Sequence, residues 1–273
     1  MRARPRLPDD GVNLPRSHPL KEALVIGALV VGVGAAILVV LAWSVELLAP
    51  MVPVEAEVSL LAGLAEPLES AISLEHEQEA RVVRRLVERL AGHWPDNPYG
   101  FRVAVIEEAV PNAFAVPGGL VLVTSGLLEH VGSENELAFV LAHELGHFHN
   151  RDHITTLGRS LVVSLALGSV DIDTSGLSLF GTTGLLTERS FGRDDEREAD
   201  RFGLALLYAE YGHIGGAADF LQSMTQGHAW ERVSSNMLGT HPFGPDRARE
   251  LQALALEEGW PVDGPRQPVA WSR

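Results

Sequence analysis

The sequence contains no cysteine. Disulfides are therefore excluded, and any metal site must be assembled from His, Asp and Glu. Basic residues are missing from a long stretch: no Lys or Arg lies between Lys21 and Arg81, and the net charge is −15 over 273 residues. That balance excludes the basic footprint of a nucleic-acid partner. The excess acidity lies after the first 22 residues, which are themselves slightly basic, and reads as a solvated face. Internal repeats are absent too.

One run lacks charge altogether. Ala23 to Ala42 has no ionisable side chain and is long enough to cross a hydrocarbon core of about 30 Å as a helix. No polar face interrupts it, as one would in an amphipathic surface helix. Arg2, Arg4, Arg6, Arg16 and Lys21 precede the run; Glu46, Glu55, Glu57, Glu66 and Glu69 follow it. The positive-inside rule then places the N-terminus in the cytoplasm and the rest beyond the membrane, with Trp43 at the interface. The expected location is a single-pass protein of the cell (inner) membrane with a periplasmic or extracytoplasmic main domain. A cleaved signal peptide would have the same flanks. The long tail, the length of the run and the lack of a small-x-small cleavage site favour a retained anchor.

These features divide the chain into a disordered Pro- and Arg-rich tail (1–22), an anchor (23–44), a Pro-punctuated linker (45–73), a main domain (74–260) and a C-terminal tail (261–273). Within the main domain, Val83, Leu86, Val87 and Leu90 have helical spacing over Leu74 to Ala91. Phe101–Glu107 and Gly119–Thr124 read as strands. The Pro- and Gly-bounded segment between them is an edge strand or a turn, because proline cannot serve a central ladder. Ser133 lies three residues before Glu136, the spacing of a capping box, and starts a helix with Leu137, Val140, Leu141, Leu145 and Phe148 inward. Leu161 to Leu167 reads as a short packed helix and 171–187 as a loop. Asp194 or Asp195 is expected to cap the next helix, and a last helix is expected over about Pro245 to Leu256.

The chemistry gathers on the capped helix. His143-Glu144-Leu145-Gly146-His147 puts two imidazoles four residues apart, hence on one helical face, where both reach one metal ion. Glu144 adjoins the open side of such a metal and is placed to take a proton from an activated water. The bland alternative is a helix with two surface histidines. Gly146 costs about 1 kcal/mol in a helix, so it implies a packing or access reason. A catalytic zinc needs a third protein ligand. His153, ten residues after His143, has the metzincin spacing, although that pattern wants glycine where Asn150 stands. Glu196 and Asp200, also four apart, offer one ligand and one hydrogen-bond acceptor for a ligand histidine. Spacing alone leaves both open.

Four motifs in order resemble the M48 family of metallopeptidases: Asn112 to Gly119, His143 to His147, Glu196 to Asp200, and His241-Pro242 followed by Arg247. The similarity spans roughly 75–255. It implies a mainly helical α+β, zincin-like (gluzincin) catalytic domain with a small β-sheet and an edge strand, besides the transmembrane helix. It also implies one Zn2+ per chain on His143, His147 and Glu196, with Glu144 as catalytic base and Asp200 supporting a ligand. His241 is implied to lie near the metal, as a stabiliser of the reaction intermediate or a gate. Arg247 is assigned a structural role. The prenyl-protease and HtpX-type members carry several membrane helices, whereas one is found here.

The expected activity is zinc-dependent endopeptidase cleavage of unfolded or misassembled, membrane-associated polypeptides. Their backbone would pair with the edge strand at Asn112, Ala113, Phe114 and Ala115; the alternative is an ordinary strand with Phe114 in the core. Two other functions compete: a zinc-gated chaperone or binding protein with little turnover, and a hydrolase of lipid or peptidoglycan. An intact Glu144 speaks against the first, and an edge strand without a purpose against the second.

Overall fold

The computed structural model describes residues 18–59, 76–166, 191–225, 241 and 246–271. The expectations for the tail before residue 18, for much of the linker, for the 171–187 loop and for Pro242 lie outside these residues. Two compact units are present, residues up to Ser44 and residues from Val45 onward. The first consists of most of α1 (Pro19–Leu48). At 30 residues this helix is long and apolar enough to cross a membrane, with Leu24, Leu29, Val31 and Val40 among its exposed side chains.

The second unit is mainly helical around a three-stranded sheet. Its elements are α2 (Glu77–Ala91), β1 (Arg102–Ile106), β2 (Ala113–Val116), β3 (Leu120–Thr124), α3 (Ser125–His130), α4 (Glu134–Asn150), α5 (Asp152–Ala166), α6 (Arg193–Tyr211), α7 (Ala217–Thr225) and α8 (Arg247–Glu258). A 3-10 turn (Ala49–Met51) and a helical stretch, 54–59, precede α2. The strand order is β1-β3-β2, with β3 parallel to β1 and antiparallel to β2. Among the described residues β2 is thus an edge strand.

Alternation sorts the sheet into two faces. Val103, Val105, Ala113, Ala115, Val121 and Val123 join the main core. Ala104, Val116, Leu120 and Leu122 form a smaller outer cluster, and Phe114 packs half-buried against it. Phe114 therefore does not fill the main core; strand parity turns it to the opposite face, across from Leu122.

Helix α4 carries the site and is buried along most of its length, with Leu137, Leu141, Leu145 and Phe148 fully enclosed. Its start is the Ser133 cap: the hydroxyl accepts the Glu136 N–H at 3.2 Å, and the Glu136 carboxylate accepts the Gly132 N–H. At its end Arg151 takes the left-handed conformation (φ 65°), and α5 starts at once with Asp152, well before the expected Leu161. Helix α6 is capped at Gly192; Asp195 sits three residues inside and accepts the Gly192 N–H at 2.9 Å. Asp195 thus acts from the third helical position, where a carboxylate reaches back to the free N–H. The C-terminal residues are fastened rather than loose. Glu134 N–H donates to the Gln267 carbonyl at 2.8 Å, and Trp260, Val262, Val269 and Trp271 pack on the core.

Candidate metal centre

His143 and His147 stand one turn apart on α4, and Glu196 and Asp200 one turn apart on α6. The two helices meet through glycines. A Cβ on Gly146 would lie 2.7 Å from the Ala199 Cα, and one on Gly203 3.0 Å from the His143 backbone nitrogen. Close helix approach is the packing reason that Gly146 implied.

That approach gathers four groups. Ligand atoms of His143, His147, Glu196 and His241 all lie within 4.8 Å of one another, and all four residues are buried. His143 Nε2 is 3.1 Å from His147 Nε2 and 3.5 Å from Glu196 Oε2; His147 Nε2 is 3.6 Å from Glu196 Oε1. Two ligands about 2.1 Å from one zinc at a tetrahedral angle stand about 3.4 Å apart, so these separations fit. The outer nitrogens are already committed. His143 Nδ1 donates to Asp200 Oδ1 at 3.0 Å and His147 Nδ1 to Asp152 Oδ2 at 2.9 Å. Such pairing fixes the tautomer and turns Nε2 towards a metal. Phe191 stacks on the His147 ring at 3.9 Å between centroids.

The remaining groups frame the open side. Glu144 is 2% exposed, and its Oε2 has no hydrogen-bond partner among the described residues. A buried carboxylate oxygen left so is costly unless a ligand or cation meets it. His241 bridges the carboxylates, with Nδ1 2.8 Å from Glu196 Oε1 and Nε2 3.4 Å from Glu144 Oε1. Arg247 ties Glu196 to Asp200: Nη1 is 2.8 Å from Glu196 Oε2, and Nη2 is 2.7 Å from Asp200 Oδ1. Arg247 thereby fixes the acid pair of α6.

The electrostatics favour a cation. Burial pushes the His143 pKa down, more than Glu196 and Asp200 lift it, which favours the neutral imidazole a metal binds. Burial also opposes charge on His147, but Asp152, Glu196 and Glu144 outweigh it and push its pKa up to about 10. A metal bound at His147 Nε2 would take the place of a proton there. For Glu196, burial is overcome by His241, His143 and His147, which hold its carboxyl far below the usual range. Asp200 is likewise lowered, with burial outweighed by Arg247 and His143.

His153 is elsewhere. Its Nδ1 is 3.1 Å from the His147 carbonyl oxygen and its Nε2 2.9 Å from Glu57 Oε1, so both nitrogens are engaged away from the cluster. His149 is exposed and stacks on Phe202. Asn112 to Ala115 belong to β2 and its approach, and β2 packs against α4. Sequence reasoning missed Asp152, five residues after His147, and Glu57. Asp152 was legible as the first acid after the motif helix; no local pattern marks Glu57.

Residues 73–255 match the model of Peptidase family M48. The chain is 30% identical over 189 residues to a putative beta-barrel assembly-enhancing protease of Vibrio cholerae, covering 64% of this chain and 39% of that one. It is 30% identical over 205 residues to the mitochondrial metalloendopeptidase OMA1 of Schizosaccharomyces pombe, covering 69% of this chain and 60% of the relative. The beta-barrel assembly-enhancing protease of Escherichia coli is 28% identical over 182 residues, covering 61% of this chain and 37% of that one. The matched region thus spans only part of each relative. With that family model matching residues 73–255, more than half of its length, the chain belongs to peptidase family M48.

Proposed function

We propose that this chain is a membrane-anchored zinc endopeptidase that cuts unfolded or misassembled polypeptides. One observation carries the reading: Glu144, with a buried oxygen that has no hydrogen-bond partner among the described residues, stands beside a ligand set spaced for a single tetrahedral ion. His143, His147 and Glu196 would hold the zinc, while Asp152, Asp200 and Arg247 orient them. Bound zinc polarises a scissile carbonyl and makes a water acidic near neutral pH. Glu144 takes the proton of the attacking water and delivers it to the leaving amine. The substrate backbone adds to the edge strand β2, running past Asn112 to Ala115.

The anchor is α1, and the charge asymmetry around it supports a cytoplasmic N-terminus with the peptidase domain beyond the membrane. The division into tail 1–22, anchor 23–44, linker 45–73, domain 74–260 and C-terminal segment 261–273 belongs to the same reading. The relatives' names, which include a beta-barrel assembly-enhancing protease, support clients associated with membranes.

His241 supports a gated form of this activity. As a fourth donor within the cluster, it would compete with water and substrate for a zinc held by the other three. Such a protein binds clients more often than it cuts them until His241 withdraws. The test is mass spectrometry of an unfolded casein incubated with the full chain in detergent. Internal peptide-bond cuts that vanish with a chelator and return with zinc are expected. Intact casein beside rapid hydrolysis of a small ester or glycan would overturn the reading.

A further inference from the structure

Glu57 lies in the helical stretch 54–59, far in sequence from every motif of the site. Its side chain is nonetheless 1% exposed, and nearby Val54 packs against the main core. A buried carboxylate is costly unless its oxygens are met by donors. Four groups meet this one. Oε1 accepts from the Gly118 N–H at 2.8 Å and from His153 Nε2 at 2.9 Å. Oε2 accepts from the Tyr99 hydroxyl at 3.1 Å and pairs with Arg151 Nη2 at 3.2 Å.

Each donor belongs to a different part of the site. Gly118, at φ 91°, forms the turn that ends β2. Arg151 is the left-handed cap of α4, at φ 65°. Glycine is the ordinary choice there, so a strained backbone is kept with a side chain that reaches Glu57. His153 carries the contacts further, because its Nδ1 holds the carbonyl of His147 at 3.1 Å.

We propose that Glu57 is a positioning residue for the metal centre and the substrate strand. Seated, it fixes the β2–β3 turn and, through His153, the last turn of α4 that carries His147. Unseated, it loosens both. The stretch that follows the membrane helix in sequence thereby becomes an input to the site. This inference rests on the metallopeptidase reading, which gives those two elements their roles.

The test uses the full chain in detergent, carrying Glu57→Gln, His153→Gln or both. Zinc Kd is read by competition with a chromogenic chelator, and kcat and KM on quenched fluorescent casein, well below the lowest melting temperature. Groups that orient a metal ligand are worth about 10–100-fold; Glu57 acts through one, so about tenfold losses in zinc affinity and kcat are expected. Adding His153→Gln should cost little more, because the two residues act in series. A merely structural role would lower the melting temperature while the folded, zinc-loaded protein kept wild-type kcat and zinc Kd. That result, or fully additive losses, overturns the proposal. Should Glu57→Gln fail to fold, Tyr99→Phe removes one hydroxyl from the same carboxylate; a several-fold lower kcat supports the proposal and an unchanged kcat overturns it. If the wild type cuts nothing, the peptidase reading fails, and the zinc Kd decides alone. A tenfold weaker Kd then sustains the role of Glu57, and an equal Kd overturns it.

Discussion

Gly146 of α4 lies so close to Ala199 of α6 that a Cβ on it would stand 2.7 Å from the Ala199 Cα and carbonyl oxygen. The obstruction is backbone, so no rotamer change relieves it. Gly146→Ala must push the helices apart, at about 1–3 kcal/mol for overpacking, against about 1 kcal/mol gained in helix propensity. A melting temperature lower by a few degrees and weaker zinc binding are expected, since His143 and His147 then draw away from Glu196. A thermal melt and a zinc titration check this. Unchanged values in both would contradict the close-contact account.

Arg247 is buried between Glu196 and Asp200, and burial is outweighed by those two carboxylates, which hold its pKa above the ordinary range. Arg247→Met leaves two buried carboxylates without their shared cation. Breaking a buried pair this way costs about 3–5 kcal/mol. Arg247→Lys should recover only part of the loss, because one ammonium cannot bridge two acids as a planar fork does. Urea unfolding of the zinc-free protein measures both; a lysine variant as stable as wild type would show that the fork is unimportant.

Asp152 and Asp200 each accept from the outer nitrogen of a candidate ligand. Asp152→Asn and Asp200→Asn should each weaken zinc by about 10–100-fold. Chelator competition reads the loss directly. Asp152→Asn with wild-type zinc affinity would remove that residue from the site.

Glu57 gives stability a defined pH dependence. Burial works to raise its pKa, but His153, Gly118 and Arg151 outweigh it and hold it below the ordinary value; Tyr99 also faces the carboxylate. A group lowered on folding contributes stability above its unfolded pKa, near 4.3, and loses it as pH falls through the folded value. Melting temperatures of the wild type should therefore fall from about pH 5 downward more steeply than those of Glu57→Gln. Parallel acid limbs would contradict the assignment.

Much of this was legible in the sequence, because the signals are local. The four-residue spacings of His143 with His147 and of Glu196 with Asp200 fix one helical face each. Ser133 with Glu136 fixes where α4 begins. Proline and glycine around Asn112 to Gly119 mark an edge strand. What escaped depends on contacts distant in sequence. Glu57 meets His153 across 96 residues, and Arg247 meets Asp200 across 47, so no periodicity announces either. Arg151 escaped because a left-handed arginine is disfavoured locally and is retained by its partner. Spacing along one helix leaves His153 and Glu196 both open as third ligand; the resemblance to the M48 family, and no periodicity, points to Glu196.

The central claim is that Glu144 is the base of a peptidase whose zinc sits on His143, His147 and Glu196. The most direct measurement compares casein cleavage by the full-length wild type and by Glu144→Gln, each with its zinc content determined. The account predicts equal zinc in both proteins and turnover in the wild type alone, lower in the variant by at least about 100-fold. Equal cutting by both at equal zinc would contradict it.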